Sequence, residues 1–367
     1  MYYPISIGLD VHLNSISASS LNTETGEVTG RRFDGTDTKG LIEWVKSFGQ
    51  RAQAVYESGF SGFALKRNLD SAGIPCIVAA VSKLSRPAGD RVKTDKRDAA
   101  FLARQLAACN IVSVHVPGIE REGMRDLSRA LDIARGSLVS AKLRVAQSHY
   151  RYGLRYSGEG TKKAWTIGWL SWATSLRMPS QGAQFAYDFH IAEALRLIDE
   201  KKRIESLIKN LCDDESIKGK VDALTAIKGI SKTAAFCLIS EIGEFSRFSK
   251  GSGFSSFLGL VPSENSSGET IRRGNITRTG NEHVRKTLIE SAWCFSRIKT
   301  PYKKTPVGVK PFVAAIAQKA NTRLFEKRRR MGFSKNSCVV NAAVAREMAC
   351  WIWAVAVAVE KDIAMVS

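Results

Sequence analysis

Near the start of the chain Ile5, Ile7 and Leu9 alternate with Ser6 and Gly8, and this period of two predicts a strand that ends at Asp10. The stretch "NSISASSLN" predicts a second strand, and "TETGEVTGRRF" a turn followed by a third. Leu41, Ile42, Val45 and Phe48 then recur at helical spacing ahead of Gly49, a helix stop. A strand in "AQAVYES", a helix in "GFALKRNLDSAG", a strand in "IPCIVAA" and a strong helix over 94–108 follow. Three hairpin-like strands and then alternating helices and strands predict a mixed α/β sheet.

Beyond it the pattern turns helical. Leu127, Leu131, Ile133, Leu138, Val139, Leu143 and Val145 mark a long helix over 120–150, and "FHIAEALRLIDEKKRIESLIKNL" marks a second. Two such helices make an antiparallel, coiled-coil-like spacer suited to dimerisation. Trp165, Trp169 and Trp172 between them read as packing residues. Next, "LTAIKGISKTAAFCLISEIGEF" reads as helix, turn at Gly229, helix, stop at Gly243. It resembles a helix-hairpin-helix, whose turn offers backbone N–H groups to a phosphate, although Ser231 stands at the second turn glycine; a plain αα-hairpin is the alternative. The apolar run "MACWIWAVAVAV" is expected to be a buried helix, too short at twelve residues to cross a bilayer. This pattern divides the chain into 1–115, a sheet domain; 116–215, a helical spacer; and 216–367, a mainly helical C-terminal domain.

Charge adds a partner. The 367 residues carry 55 Lys and Arg against 35 Asp and Glu, a net +20. Residues 245–335 hold 19 basic and 5 acidic side chains, so +14 of the excess lies in one stretch. A field of that sign attracts a polyanion, nucleic acid above all. The basic residues lie among Gly, Asn and Thr rather than along one amphipathic helix, which disfavours a membrane surface. Seven scattered cysteines without a Cys-x-x-Cys pair argue against a disulfide framework or zinc site and for the reducing cytoplasm. "MYYPISIGLDVH" lacks the basic and apolar regions of a signal peptide.

Four acids form the candidate chemistry. Asp10 and Glu57 end two strands, and Asp95 and Asp98 stand three apart at a helix start, so their carboxylates share a face. Strand ends and a helix terminus can converge, and carboxylates so crowded need divalent cations to neutralise them. Hard oxygen ligands select Mg²⁺ or Mn²⁺, and two such ions can clamp a phosphoryl group during in-line displacement. Taken singly, each acid also has an ordinary role as a helix cap or surface ion pair.

The motifs "GLDVH", "YES", "KTDKRDA", "FLGLVPSENSSGE" and "GNITRTGNEHVRKTLIESA" resemble the DEDD transposases of the IS-one-ten insertion-sequence family, which also includes Piv-type DNA invertases. The resemblance runs along nearly the whole chain. It implies a RuvC-like, RNase H-type N-terminal domain with Asp10, Glu57, Asp95 and Asp98 as its metal-binding tetrad. It also implies a serine nucleophile in "PSENSSGE", at Ser266 with Ser267 as the fallback; Glu269 replaces a glycine of the family pattern. A structured guide (bridge) RNA that pairs with donor and target DNA, and action as a dimer to tetramer, are implied as well. Arg272, Arg273, Arg278, Arg285 and Lys286 fit phosphate contacts, and Arg328, Arg329 and Arg330 form a further basic cluster where RNA binding and a solvated face compete.

The expectation is therefore a Mg²⁺-dependent, RNA-guided DNA recombinase working through a transient phosphoserine link. A RuvC-like nuclease, a site-specific invertase and a non-catalytic nucleic-acid-binding protein are the alternatives. "IGLDVH" also resembles the opening strand of actin-like ATPases, but no Gly-rich phosphate loop follows. A tyrosine recombinase is excluded because His283 and Arg285 have the wrong spacing.

Overall fold

The alternation of the first residues builds a sheet with two chemically different faces. The computed structural model describes residues 3–49, 51–84, 94–157, 163–268, 270 and 272–366. The chain clusters into two compact units, Met1–Pro117 and Gly118–Ser367.

In the first unit the sheet order is β3-β2-β1-β4-β5. β1 (Ile5–Val11), β2 (Ser15–Asn22) and β3 (Val28–Asp34) form an antiparallel meander, and β4 (Ala52–Glu57) and β5 (Cys76–Ala79) continue it in parallel. Ile5, Ile7, Leu9, Ile16, Ala18, Ala54 and Tyr56 meet Leu41 and Val45 of α1 (Thr38–Lys46) and Leu65 and Leu69 of α2 (Ala64–Ser71) in one core. The opposite face receives α3 (Asp95–Ala107), whose Leu102 and Leu106 pack with Val55 and Ala79. Gly8 permits that packing. A Cβ at Gly8 would lie 2.0 Å from the Ala99 carbonyl oxygen and 2.5 Å from the Ala103 nitrogen. The missing side chain lets α3 lie directly on β1.

In the second unit α4 (Ile119–Arg151) and α6 (Gln181–Leu211) pack along each other. Leu131, Ala134, Leu138, Ala141 and Val145 of α4 are buried at alternating spacings of three and four. α6 starts eight residues ahead of the expected segment because the Ser180 hydroxyl accepts the Ala183 N–H and caps it. The Trp-rich stretch contains a short helix, α5 (Ile167–Ser175), and Trp165, Trp169 and Trp172 pack together with His149 and Tyr187. There the Tyr187 hydroxyl donates to the Ala173 carbonyl at 3.0 Å and lies 2.8 Å from His149 Nε2, so Nε2 carries the ring hydrogen. Burial holds the His149 pKa below its ordinary value.

α7 (Glu215–Thr225) and α8 (Lys232–Ile242) form the expected hairpin, and Gly243 ends α8 at φ +76°. Its turn departs from the anion-binding expectation. The Lys228 N–H donates to Asn321 Oδ1 and the Ile230 N–H to the Ile227 carbonyl, while a Cβ at Gly229 would meet the Ser291 carbonyl oxygen at 2.4 Å. The turn is packed into the protein, as in a plain αα-hairpin. Glu241 of α8 is buried and receives a forked pair of bonds from Arg129 (2.7 and 3.1 Å), with Arg125 at 3.5 Å and Asn281 Nδ2 at 2.8 Å.

α9 (Gly251–Phe257), α10 (Glu282–Ala292), α11 (Pro311–Gly332) and α12 (Ser337–Val366) complete the unit, with a small hairpin of β6 (Pro262–Glu264) and β7 (Arg273–Ile276) between α9 and α10. The length argument for the apolar run fails. The run lies inside the 30 residues of α12, the one helix among the described residues long and apolar enough to cross a membrane. Its place in the core is carried by packing instead. Val340, Val344, Met348, Ile352 and Val355 are fully buried among residues of α7, α9, α10 and α11.

Candidate active site

Parallel pairing sets Leu9 of β1 against Tyr56 of β4, so Asp10 and Glu57 follow at neighbouring strand ends. Side chains alternate along a strand, and these two acids fall on the face of Gly8 and Val55, the face that α3 covers. At the start of α3 the Thr94 hydroxyl caps the helix, which puts Asp95 and Asp98 in its first turn, where the helix dipole favours negative charge. Because Gly8 holds α3 down on β1, the two aspartates arrive beside Asp10.

His12 joins them. Its Nε2 lies 3.2 Å from Asp10 Oδ2 and 3.6 Å from Asp95 Oδ1, and one ligand atom from each of the three residues falls within 4.8 Å of the others. Asp98 is buried at 8% exposure. Burial pushes the Asp10 carboxyl above its ordinary pKa; His12 opposes the shift, and the charges of Asp98 and Asp95 add to it. Two carboxylates and an imidazole suit a divalent ion that accepts oxygen and nitrogen donors. Thus Asp10, Asp95 and Asp98 come together, and Glu57 stands half-buried at the adjoining strand end. His12 lies just past the end of β1, two residues beyond Asp10, and that short spacing is its signal in the sequence.

Ser266 lies in the second unit, in the loop of the β6–β7 hairpin. Its hydroxyl donates to Glu264 Oε1 at 3.0 Å, and the Arg272 N–H donates to Ser266 Oγ at 3.3 Å. The neighbouring Ser267 is tied by its backbone to Thr270 in two bonds of 3.1 and 3.2 Å across Gly268, whose φ is +55°. Glu269 lies outside the described residues. Glu264 ends β6 two residues ahead of Ser266, and that spacing is the sequence signal for the pair.

The predicted basic residues divide by environment. Arg272 and Arg273 flank the serine loop, with Arg273 Nε 3.5 Å from Glu264. Arg278 is exposed and takes a left-handed φ of 56°. Arg285 instead uses Nη1 to hold the Leu258 and Thr279 carbonyls (3.0 and 2.9 Å), and Lys286 lies 3.7 Å from Asp132. Arg328 donates to Ser337 and stacks over Trp293, and Arg329 sits over Phe325; both belong to an exposed end of α11 that includes Arg330.

The acids thus gather at strand ends beside a helix terminus in the first unit, while the basic excess of residues 245–335 lies in the second. Residues 221–307 match the transposase family described as IS116/IS110/IS902. The Sinorhizobium fredii protein named "Putative transposase y4qE" is 34% identical over 363 residues, covering 97% of this chain and 89% of that protein. The transposase for insertion sequence element IS1533 of Leptospira borgpetersenii is 26% identical over 344 residues, 89% of this chain and 96% of its own length. The chain belongs to the IS116/IS110/IS902 family of insertion-sequence transposases.

Proposed function

We propose that the protein is an RNA-guided DNA recombinase that cuts and rejoins strands through a phosphoserine link. The observation that carries this reading is the convergence of Asp10, Asp95 and Asp98 with His12 at the end of β1. The mixed sheet, with acids ending its neighbouring parallel strands β1 and β4, supports a RuvC-like, RNase H-type domain. Asp10, Glu57, Asp95 and Asp98 would hold two Mg²⁺ or Mn²⁺ ions, which when bound polarise the scissile phosphate and stabilise its charge during displacement.

Ser266 is the nucleophile. Its proton passes to Glu264 as Oγ bonds to phosphorus, and the bond from phosphorus to the leaving deoxyribose oxygen breaks. The Arg272 N–H orients Oγ. Rejoining is the reverse step, with the hydroxyl of a new strand displacing the serine, so the bond energy is kept and no nucleotide cofactor is needed. The excess of +14 over residues 245–335 supports binding to DNA and to a guide RNA whose base pairing selects the sites. A homo-oligomer would bring the required strands together, in the cytoplasm where the bacterial DNA lies.

The test is a denaturing gel for a protein–DNA adduct. The protein is expressed with the non-coding DNA flanking its gene and given donor and target DNA with Mg²⁺. Wild type should form an adduct that both Ser266→Ala and Asp98→Ala abolish. An adduct that survives Ser266→Ala would move the nucleophile to Ser267. Metal-dependent cleavage without adduct in any variant would leave a RuvC-like nuclease.

A further inference from the structure

Two adjoining hollows of about 590 and 820 Å³ run along α3 beside the acids. They share Gly30, Thr94 and Lys96 and so make one groove, which begins at Asp95 and reaches Arg104. Nine residues of helix give it a length of about 14 Å. Its floor follows from strand alternation. Ile16 and Ala18 of β2 enter the apolar core, which leaves Ser17 and Ser19 on the α3 side. Gly30, paired with Ser19, has no side chain to fill the space.

The groove is strongly one-signed. Arg32, Lys96, Arg97 and Arg104 line it, and among the described residues its lining carboxylate is Asp95, at the end where the acids meet. Arg32 is held on this face by its bond to the Ser15 hydroxyl at 3.1 Å. The first unit as a whole is nearly balanced in charge, so this concentration is a product of folding: cations of β3 and α3, more than 60 positions apart in sequence, share one wall.

The geometry points to a binding groove for a nucleic-acid strand, which feeds its phosphodiester backbone along α3 to the acids at Asp95. A groove of one sign of charge concentrates a polyanion, and about 14 Å accommodates roughly two to four successive phosphates. Contacts of these cations to phosphate oxygens hold a strand without reading its sequence. A single small anion would leave most of this length unused. The assignment rests on the proposed function only in taking the Asp95 end as the place of cleavage.

The test uses the full chain, labelled 20-nucleotide DNA and RNA single strands of one sequence, and fluorescence anisotropy across a salt series without divalent metal. Lys96→Gln/Arg104→Gln changes two exposed cations of the groove. It should lower the slope of log Kd against log salt by about 1.4, at about 0.7 per lost phosphate contact. Lys39→Gln, on α1 across the sheet, should leave the slope unchanged. A drop with DNA alone identifies the strand as DNA, with RNA alone as the guide, and with both as any phosphodiester backbone. A slope equal to wild type in the double variant, or an equal drop in Lys39→Gln, overturns the groove. Circular dichroism of each variant checks folding. Binding here requires neither metal nor cleavage, so the groove and the adduct chemistry can fail separately.

Discussion

Gly8→Ala should disable the acidic site without touching any acid. The new methyl carbon would fall 2.0 Å from the Ala99 carbonyl oxygen, 2.5 Å from the Ala103 nitrogen and 2.9 Å from Leu102 Cβ. Two of these neighbours are helix backbone, which no rotamer change can clear. Ordinary contact starts near 3.4 Å, so α3 must retreat from β1 by roughly 1.4 Å. Overpacking of this kind costs about 1–3 kcal/mol, and in a unit of this size lowers Tm by about 5–15 °C. The same retreat carries Asp95 and Asp98 away from Asp10. A displacement of about 1 Å in a catalytic arrangement costs on the order of 100-fold in rate. The assays are thermal melting and the initial rate of adduct formation under saturating Mg²⁺. Wild-type melting and rate in Gly8→Ala would refute the claim that close packing of α3 on β1 assembles the site.

Removing the Glu241 carboxylate as Glu241→Ala strands two arginines around a buried position and should cost about 3–5 kcal/mol, read by urea unfolding. A loss below about 1 kcal/mol would mean the cluster is solvated. Tyr187→Phe leaves the Ala173 carbonyl and the His149 N–H without their shared partner, and about 1–3 kcal/mol of stability should go with it on the same assay. Acid should weaken the second unit in two stages. His149 has a lowered pKa when folded, so stability should begin to fall below about pH 6.5, the unfolded value. Burial alone would raise Glu241 and Glu360, but bonds from Arg129 and Asn281 to the first, and from Lys220 and the Phe245 and Ser246 N–H groups to the second, hold both below the usual carboxylate range. Their contribution is complete above the unfolded pKa near 4.3 and is lost as pH falls through the folded values. Melting followed from pH 7 to 3 should show both stages, and Glu360→Gln should flatten the second.

The parts of this molecule written in short-range pattern were legible from sequence. Ile5, Ile7 and Leu9 announce β1, the Asp95–Asp98 spacing announces a shared helix face, and Gly243 announces a helix stop. What sequence left open depends on tertiary approach. His12 meets Asp95 only when α3 settles on Gly8. Asn321 fills the turn at Gly229 from α11, more than 90 residues away, so the turn's local resemblance to a phosphate-binding motif gave the wrong environment. α12 runs well beyond the twelve apolar residues, because Arg346 and Glu347, which precede them, and Glu360, which follows, are helical too. Asn341 enters the interior, where its amide donates to the Ile289 carbonyl.

The position of α12 in the chain has a consequence for biosynthesis. Every helix it packs against, α7, α9, α10 and α11, is made before it. Those helices emerge with apolar faces that have no finished core to enter until Ser337 and the residues after it have been added. The first unit, whose strands and α3 all lie before residue 118, can close much earlier at ordinary rates of chain elongation. A nascent chain should therefore carry a folded acidic site while its serine-bearing unit still waits for α12. A stop codon placed just before Ser337 should yield an intact first unit joined to an aggregation-prone second, so the two partners of the proposed reaction mature at different times on the ribosome.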